Sequence, residues 1–200
     1  MAAVRVIDVG ARACLVEVQD AVAAAALATW VRRSGLRVDE VVPAAATVLL
    51  DGVDPQAVRE VLPAWSSDGS ADEGPLVRVP VRYDGPDLAR VAEHWGCTSA
   101  EVVDLHTSLE LTAAFCGFAP GFAYLAGLPA ERAVPRLESP RARVPAGAVG
   151  LADAWCGVYP AASPGGWLLI GTTDAALWDV RRDPPALLAP GTRVRFEAVG

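Results

Sequence analysis

Hydrophobic and polar residues alternate near the start of the chain and then give way to a helical pattern. RACLVEV alternates as a strand does, and an alanine-rich run follows in which Asp20 is placed to cap a helix reaching about Arg33. VDEVVPAA and TVLLDGV then predict two strands, and Asp54 begins a second helix. The order strand, helix, strand, strand, helix predicts a small α+β sandwich over residues 1–70.

The pattern changes after a polar and acidic stretch, SSDGSADEGP at residues 66–75, which predicts an exposed linker. LVRVPVRYDG then predicts a strand, and two helices follow at 86–95 and 98–106. Beyond them Pro and Gly recur too often for long helices, while LTAAF, GWLLIG, ALWDV and TRVRFEAV resemble strands. Many short strands need protected edges, so residues 76–200 are predicted to form a closed or nearly closed β-barrel. The overall class is therefore α+β.

Composition and charge narrow the possible functions. The chain has 200 residues, 52% of them hydrophobic, which predicts a well-filled core. Its net charge of -7 disfavours nucleic acid and anionic membranes as partners. All 17 basic residues are Arg, so a phosphate-loop Lys, a Schiff-base Lys and a Lys general base are excluded.

The cysteines and the N-terminal residues indicate the cellular compartment. The four cysteines at positions 14, 97, 116 and 156 lack the paired spacing of zinc sites, so no metal site is predicted. MAAVRVIDVG shows no signal-peptide pattern, and the alanine-rich run is shorter than the ~20 residues that a membrane span needs. We expect a cytoplasmic protein with free thiols.

Three segments rich in Gly, Pro and aromatic residues are the strongest functional signal: GFAPGFAYLAGLP, PRLESPRARVPAG and SPGGW. Gly lets a ligand approach the main chain, Pro fixes the loops, and an Arg fork matches a carboxylate or phosphate. Barrel corners and core packing are the alternative explanations for the same residues. The predicted substrate-binding residues are Phe118, Pro120, Gly121, Phe122, Arg136, Arg141, Gly147, Ser163, Gly165 and Gly166.

Two residues are candidates for catalysis. His106 lies near the end of a predicted helix, where a neutral imidazole would accept a proton near pH 7. Asp84, in a YDG sequence, would orient a base or a ligand amine. The alternatives are a helix-end His satisfied by the backbone or a core hydroxyl, and an ordinary tight turn at Asp84.

Residues from Tyr83 to Phe196 resemble a known family. The matching segments include YDGPDL, FCGFAPGFAYLAGLP, SPRARVPAG, GVYP, SPGGWLLIGTT and PPALLAPGTRVRF. The family contains the B subunit of the ATP-dependent bacterial 5-oxoprolinase, the allophanate hydrolase subunit 1 proteins and the KipI-type histidine-kinase inhibitor. The resemblance implies a small α+β domain followed by a cyclophilin-like β-barrel.

The same resemblance implies a reaction and partners. It implies ATP-driven cleavage of 5-oxoproline, a small molecule, to glutamate. ATP and Mg would act at the level of a complex with the C subunit, which is a second barrel protein, and the A subunit. A KipI-type kinase inhibitor and a carboxyltransferase or allophanate hydrolase component are the alternatives. Leu111, Trp155, Thr172 and Asp174 depart from the family's commonest residues and leave the exact substrate open.

Overall fold

The computed structural model describes residues 4–66 and 74–200. The chain folds as two compact units, residues 1–72 and 73–200. Most of the predicted linker, residues 67–73, lies outside the described residues. Within the described ranges, no helix is both long and apolar enough to span a bilayer.

The first unit is a four-stranded antiparallel sheet with helices. Asp20 caps the long helix as predicted, because its carboxylate accepts a hydrogen bond of 2.8 Å from the Ala23 backbone N–H. Leu27 and Val31 on this helix pack with Val48 and Leu50 of the sheet. The elements are β1 (Arg5–Asp8), β2 (Ala13–Glu17), α1 (Ala21–Arg33), β3 (Glu40–Pro43), β4 (Thr47–Asp51) and α2 (Pro55–Val61), with strand order β1-β2-β4-β3.

Every element predicted in the first unit is present, and one strand was missed. β1 pairs antiparallel with β2 along its whole length. Its four residues are only partly buried or exposed, so the sequence carries little of the inward hydrophobic alternation that marks a longer strand.

The second unit contains two helices and a barrel. The predicted capping box is confirmed: Glu101 accepts the Thr98 N–H at 2.7 Å, and the Thr98 hydroxyl accepts the Glu101 N–H at 3.2 Å. The elements are β5 (Leu76–Val81), α3 (Leu88–Trp95), α4 (Ser99–Ser108), β6 (Leu111–Cys116), β7 (Ala123–Ala126), β8 (Arg141–Val144), β9 (Ala148–Ala152), β10 (Trp155–Val158), β11 (Ser163–Gly165), β12 (Leu168–Thr172) and β13 (Arg193–Ala198).

Seven of these strands form the nearly closed barrel that the sequence predicted. Their order is β12-β9-β10-β7-β6-β13-β5, with only β5 and β13 parallel. The two edge strands meet where Arg82 and Thr172 exchange backbone hydrogen bonds of 2.9 and 2.8 Å. The predicted class, a small α+β sandwich followed by a β-barrel, is confirmed.

The barrel sheet is buried on both faces where β9 and β10 lie. Every residue of β9 is buried: Val149 and Leu151 belong to the barrel core, whereas Ala148 and Ala152 belong to a second cluster on the outer face. Side chains alternate between faces along a strand, so β9 separates two hydrophobic layers. The outer layer needs a cover, which β8, β11 and the Gly- and Pro-rich loops provide.

One predicted strand is wrong. ALWDV, residues 176–180, forms only an isolated bridge between Trp178 and Ala186. The Asp179 carboxylate accepts the Arg181 backbone N–H at 3.0 Å, which turns the chain immediately after Trp178. Local side-chain bonding therefore prevails over the alternating pattern.

Candidate functional site

The three Gly- and Pro-rich segments converge on one pocket on the outer face of the barrel. Its volume is about 200 Å³. Each segment supplies one side of it. The residues that line this aromatic pocket are Phe118, Phe122, Tyr124, Arg136, Leu137, Pro140, Tyr159, Pro164, Gly165, Gly166 and Trp167.

A two-stranded ribbon brings two of the segments together. β8 and β11 pair antiparallel, with Ser163 opposite Val144 and Gly165 opposite Arg141. Beyond the ribbon, the Leu137 backbone N–H donates to the Gly166 carbonyl at 2.7 Å. Residues about 20 to 30 positions apart in sequence are thereby held side by side.

Aromatic rings form the floor and sides of the pocket. The Phe122 ring is central: its centroid lies 5.4 Å from that of Trp167, 5.5 Å from that of Tyr159 and 5.1 Å from that of Tyr124. All three contacts are edge-to-face, the arrangement that aromatic quadrupoles favour. Phe118 extends the cluster outward, with its ring 5.3 Å from Phe122.

A nearly buried ion pair supports the pocket from behind. Asp87 is 6% exposed, and both of its carboxylate oxygens accept hydrogen bonds from Arg141, at 2.7 and 2.8 Å. Asp87 also accepts the Leu169 backbone N–H at 2.7 Å, and Arg141 donates to the Trp167 carbonyl at 3.2 Å. The Asp87–Arg141 pair therefore binds two backbone groups that flank Leu168, the Trp167 carbonyl and the Leu169 N–H. These hydrogen bonds fix the position of Trp167.

The two arginines predicted to bind substrate differ in their surroundings. Arg141 is engaged by Asp87 and a carbonyl, so its hydrogen-bonding fork is already occupied. Arg136 lines the pocket, its side chain is 57% exposed, and its nearest acidic partner is Asp153, with Nε and Oδ2 3.8 Å apart. Only Arg136 presents a guanidinium to the pocket.

Other predicted substrate-binding residues lie around the pocket and do not line it. Gly121 packs against Leu177 and Trp178, and Pro120 precedes it in the same loop.

Gly147 turns the chain between β8 and β9 at φ +79°. Its N–H donates to the Tyr159 carbonyl, and its carbonyl accepts a hydrogen bond from the Thr173 N–H. Ser163 is a ribbon residue. Their binding roles stay predictions.

His106 lies inside the barrel and away from the pocket. It is 0% exposed, with Nδ1 2.7 Å from the Tyr83 hydroxyl, Nε2 3.3 Å from the Cys156 sulfur and its ring stacked on Phe196. Cys156 and its neighbour Gly157 point to opposite faces of β10, and Gly157 lies beneath Phe122. The sheet therefore stands between His106 and the pocket.

Burial keeps this inner group neutral. Desolvation lowers the pKa of His106 to about 4 and raises the pKa values of Tyr83 and Cys156. A neutral imidazole donates from one nitrogen and accepts at the other, so all three groups are satisfied without charge. The catalytic role of His106 stays a prediction, and the structure shows a packed, hydrogen-bonded core residue.

Asp84 lies at the seam of the barrel. It accepts a hydrogen bond of 2.9 Å from the Thr172 hydroxyl, and next to it Arg82 pairs with Asp174 at 3.0 Å.

Two of the departures from the family's commonest residues, Thr172 and Asp174, therefore have partners at the seam. Of the other two, Leu111 is in the barrel core, and Trp155 packs edge-on against Phe115 and Tyr124.

Sequence reasoning missed two contributors that lie outside the three Gly- and Pro-rich segments. Tyr159 lines the pocket and Asp87 supports it. The signals were present: Tyr159 follows a strand in GVYP, and Asp87 lies in YDGPDL, but nothing local distinguishes a pocket tyrosine from a core one. Asp87 opens α3, yet its side chain makes no capping bond there because it is used by Arg141.

The pocket does not fit a nucleotide. Drug-sized ligands occupy roughly 300–1,000 Å³, well above the volume found here. Arg136 is the only positively charged residue that lines the pocket, and no Asp or Glu lines it. Among the described residues, no three His, Cys, Asp or Glu side chains are placed to hold a metal ion. ATP and Mg therefore have no site in this pocket.

Gly157 gives a test of the packing beneath the pocket. A Cβ at this position would lie 2.9 Å from Phe122 and 3.0 Å from Trp167. We expect Gly157→Ala to push both rings into the pocket, change the near-ultraviolet circular dichroism and lower the free energy of unfolding by about 1–3 kcal/mol. Gly117→Ala is the control, because its Cβ would lie 3.8 Å from Tyr124. Equal spectra and stability for the two variants would contradict this packing.

Comparison with known proteins shows a family match and similar bacterial proteins. Residues 4–188 match the family described as "Carboxyltransferase domain, subdomain C and D". The chain is 45% identical over 157 residues to the B subunit of 5-oxoprolinase from Escherichia coli O157:H7, a match that covers 75% of this chain and 72% of the relative. It is 46% identical over 124 residues to the B subunit of 5-oxoprolinase from Bacillus subtilis (strain 168), covering 60% of this chain and 52% of that relative.

Solved structures share the fold. TTHA0988 superposes with a TM-score of 0.77 at 35% identity, covering 94% of this chain but only 40% of that longer chain. Protein PH0987 of Pyrococcus horikoshii gives a TM-score of 0.60 at 30% identity and is covered over 97% of its length. The K. lactis urea amidolyase, at 19% identity and a TM-score of 0.73, shares the fold and is covered over 15% of its length.

Proposed function

This chain belongs to the carboxyltransferase-domain family of subdomains C and D, and on that premise we propose that it is the B subunit of a 5-oxoprolinase. The observation that carries the proposal is the identity of 41–46% to three bacterial proteins of that name. A small pocket suited to a compact ring lies within residues 4–188, the part of the chain that matches the family, and it supports the same proposal.

The reaction that we propose is ATP-dependent opening of 5-oxoproline to glutamate. The ring amide C–N bond breaks, the oxygen of water joins the carbonyl carbon, and the nitrogen becomes the amine of glutamate. ATP supplies the driving force: its terminal phosphoanhydride bond breaks and a second water is consumed, which gives ADP and phosphate. In this scheme the chain binds and orients the ring, and its aromatic pocket keeps bulk water away from the face it covers.

We propose that the activity requires partners. The pocket fits no nucleotide and the sequence contains no nucleotide-binding fingerprint, so ATP and Mg would bind on another protein of the complex or across an interface between two of them. The C and A subunits of 5-oxoprolinase are the proposed partners, and the chain alone would be inactive. This chain spans only 40% of the length of TTHA0988.

Omission of single components tests this proposal. The chain is co-purified with the C subunit and mixed with the A subunit, ATP and 5-oxoproline, and glutamate release is measured with each component left out in turn. We expect glutamate only when all components are present. Full turnover by the chain alone would refute the composite arrangement, and a complex that forms but releases no glutamate would refute the proposed substrate.

A further inference from the structure

We infer that the aromatic pocket binds a small planar ring that carries one carboxylate, with Arg136 as the ligand of that carboxylate. The identity of the ring as 5-oxoproline rests on the proposed function, whereas the ligand class rests on the pocket itself. The lining contains one cation, no acid and five aromatic residues. Such a lining favours a flat molecule with a single negative charge.

Of the two arginines near the pocket, only Arg136 is available to a carboxylate ligand. Arg141 lies close by, but Asp87 neutralises it and occupies its fork. Among the described residues, Arg136 makes no hydrogen bond through its guanidinium, and its 3.8 Å approach to Asp153 is through Nε. Its two terminal amino groups therefore have donors for a carboxylate, in the two-bond geometry that guanidinium and carboxylate share.

Phe118 supplies a second, independent observation. It is a non-glycine residue with φ +67°, and the residue is 61% exposed. A bulky aromatic rarely adopts this conformation, and exposing a Phe ring to water has no stabilising effect on the fold, so the combination points to a binding role. The ring meets Phe122 and Tyr159 edge-on, at 5.3 and 6.1 Å, which leaves a face for a ligand ring.

Tyr159 contributes a neutral polar group, its hydroxyl, to the pocket. Burial raises the pKa of its hydroxyl, so the group is protonated at neutral pH and adds no negative charge beside the expected carboxylate. A Cβ on Gly165 would collide with the Tyr159 hydroxyl oxygen, which shows how closely the main chain approaches this hydroxyl. Only a compact ligand fits between these groups.

The test compares two ligands and two arginine variants. 5-Oxoproline carries the carboxylate, and 2-pyrrolidinone is the same lactam without it. Arg136→Gln removes the proposed ligand, and Arg143→Gln is the matched control, because Arg143 is exposed on β8 and does not line the pocket. Dissociation constants are measured by calorimetry on the chain in its complex with the C subunit, and kcat and KM on the assembled enzyme.

The expected result is a loss of selectivity in one variant only. The unmodified chain should bind 5-oxoproline roughly 10- to 100-fold more tightly than 2-pyrrolidinone, as expected for a hydrogen-bonded charge pair. Arg136→Gln should remove that preference and raise KM by the same factor, and Arg143→Gln should keep it. An Arg136→Gln variant that retains the preference, or a protein that binds both lactams equally, would overturn the inference.

Failure of this inference and failure of the proposed function give different results. Glutamate release with an unchanged KM in Arg136→Gln would establish the 5-oxoprolinase role and contradict the assignment of the carboxylate to Arg136. Carboxylate binding that depends on Arg136, in a mixture that never releases glutamate, would establish the carboxylate site and contradict the proposed reaction. Binding of neither lactam, with no glutamate release, would overturn both.

Discussion

Asp87→Asn should destabilise the barrel unit by about 3 kcal/mol, because it leaves the Arg141 guanidinium without its counter-charge in a largely buried position. The substitution preserves the size of the side chain and one acceptor for the Leu169 N–H, so the loss reports the charge. Urea unfolding followed by tryptophan fluorescence measures it, since four of the six tryptophans, at positions 95, 155, 167 and 178, lie in this unit.

The same chemical change on an exposed ion pair is the control for Asp87. Asp174 pairs with Arg82 at the seam, but its side chain is 84% exposed, so Asp174→Asn should change stability far less than Asp87→Asn does. Combining Asp87→Asn with Arg141→Met should recover part of the loss, because no unpaired charge remains. If Asp87→Asn were as mild as Asp174→Asn, the pair would not be what fixes the Trp167 side of the pocket.

The parts of the site that sequence reasoning found are those encoded locally. Gly, Pro and aromatic residues cluster in short segments, and they marked the three loops that form the pocket. Their convergence depends on the β8–β11 ribbon and on contacts between residues far apart in sequence. Asp87 was missed for this reason: its partner Arg141 is 54 positions away, and a helix-start Asp looks like an ordinary cap.

The limits of the fold prediction have a similar origin. The capped helices α1 and α4 were predicted well because their caps are local hydrogen bonds. β9 shows no alternation to detect, since the sheet is buried on both faces there. ALWDV shows alternation without forming a strand. Hydrophobic periodicity thus reports burial on one face, and it fails where burial is two-sided or where a side chain turns the backbone.

His106 gives the last prediction, a pH dependence of stability. Its pKa is about 4 in the folded chain and about 6.5 when unfolded, so the unfolded chain binds the proton more readily. The stabilisation is complete above pH 6.5 and is lost as pH falls toward 4. Between pH 7 and pH 5 this one residue should lower the free energy of unfolding by about 2 kcal/mol. Urea unfolding at the two pH values measures the change.

Two single-histidine variants separate this effect from the titration of carboxylates. His106→Asn should be less stable at pH 7, because it loses the stacking on Phe196 and leaves a cavity, but its stability should fall much less on going to pH 5. His94→Asn, at the exposed second histidine, should keep the full pH dependence. If His106→Asn kept the pH dependence, His106 would take up its proton equally well in the folded chain. Such a histidine would be accessible, as a general base must be, and the catalytic prediction for it would gain support over a purely structural role.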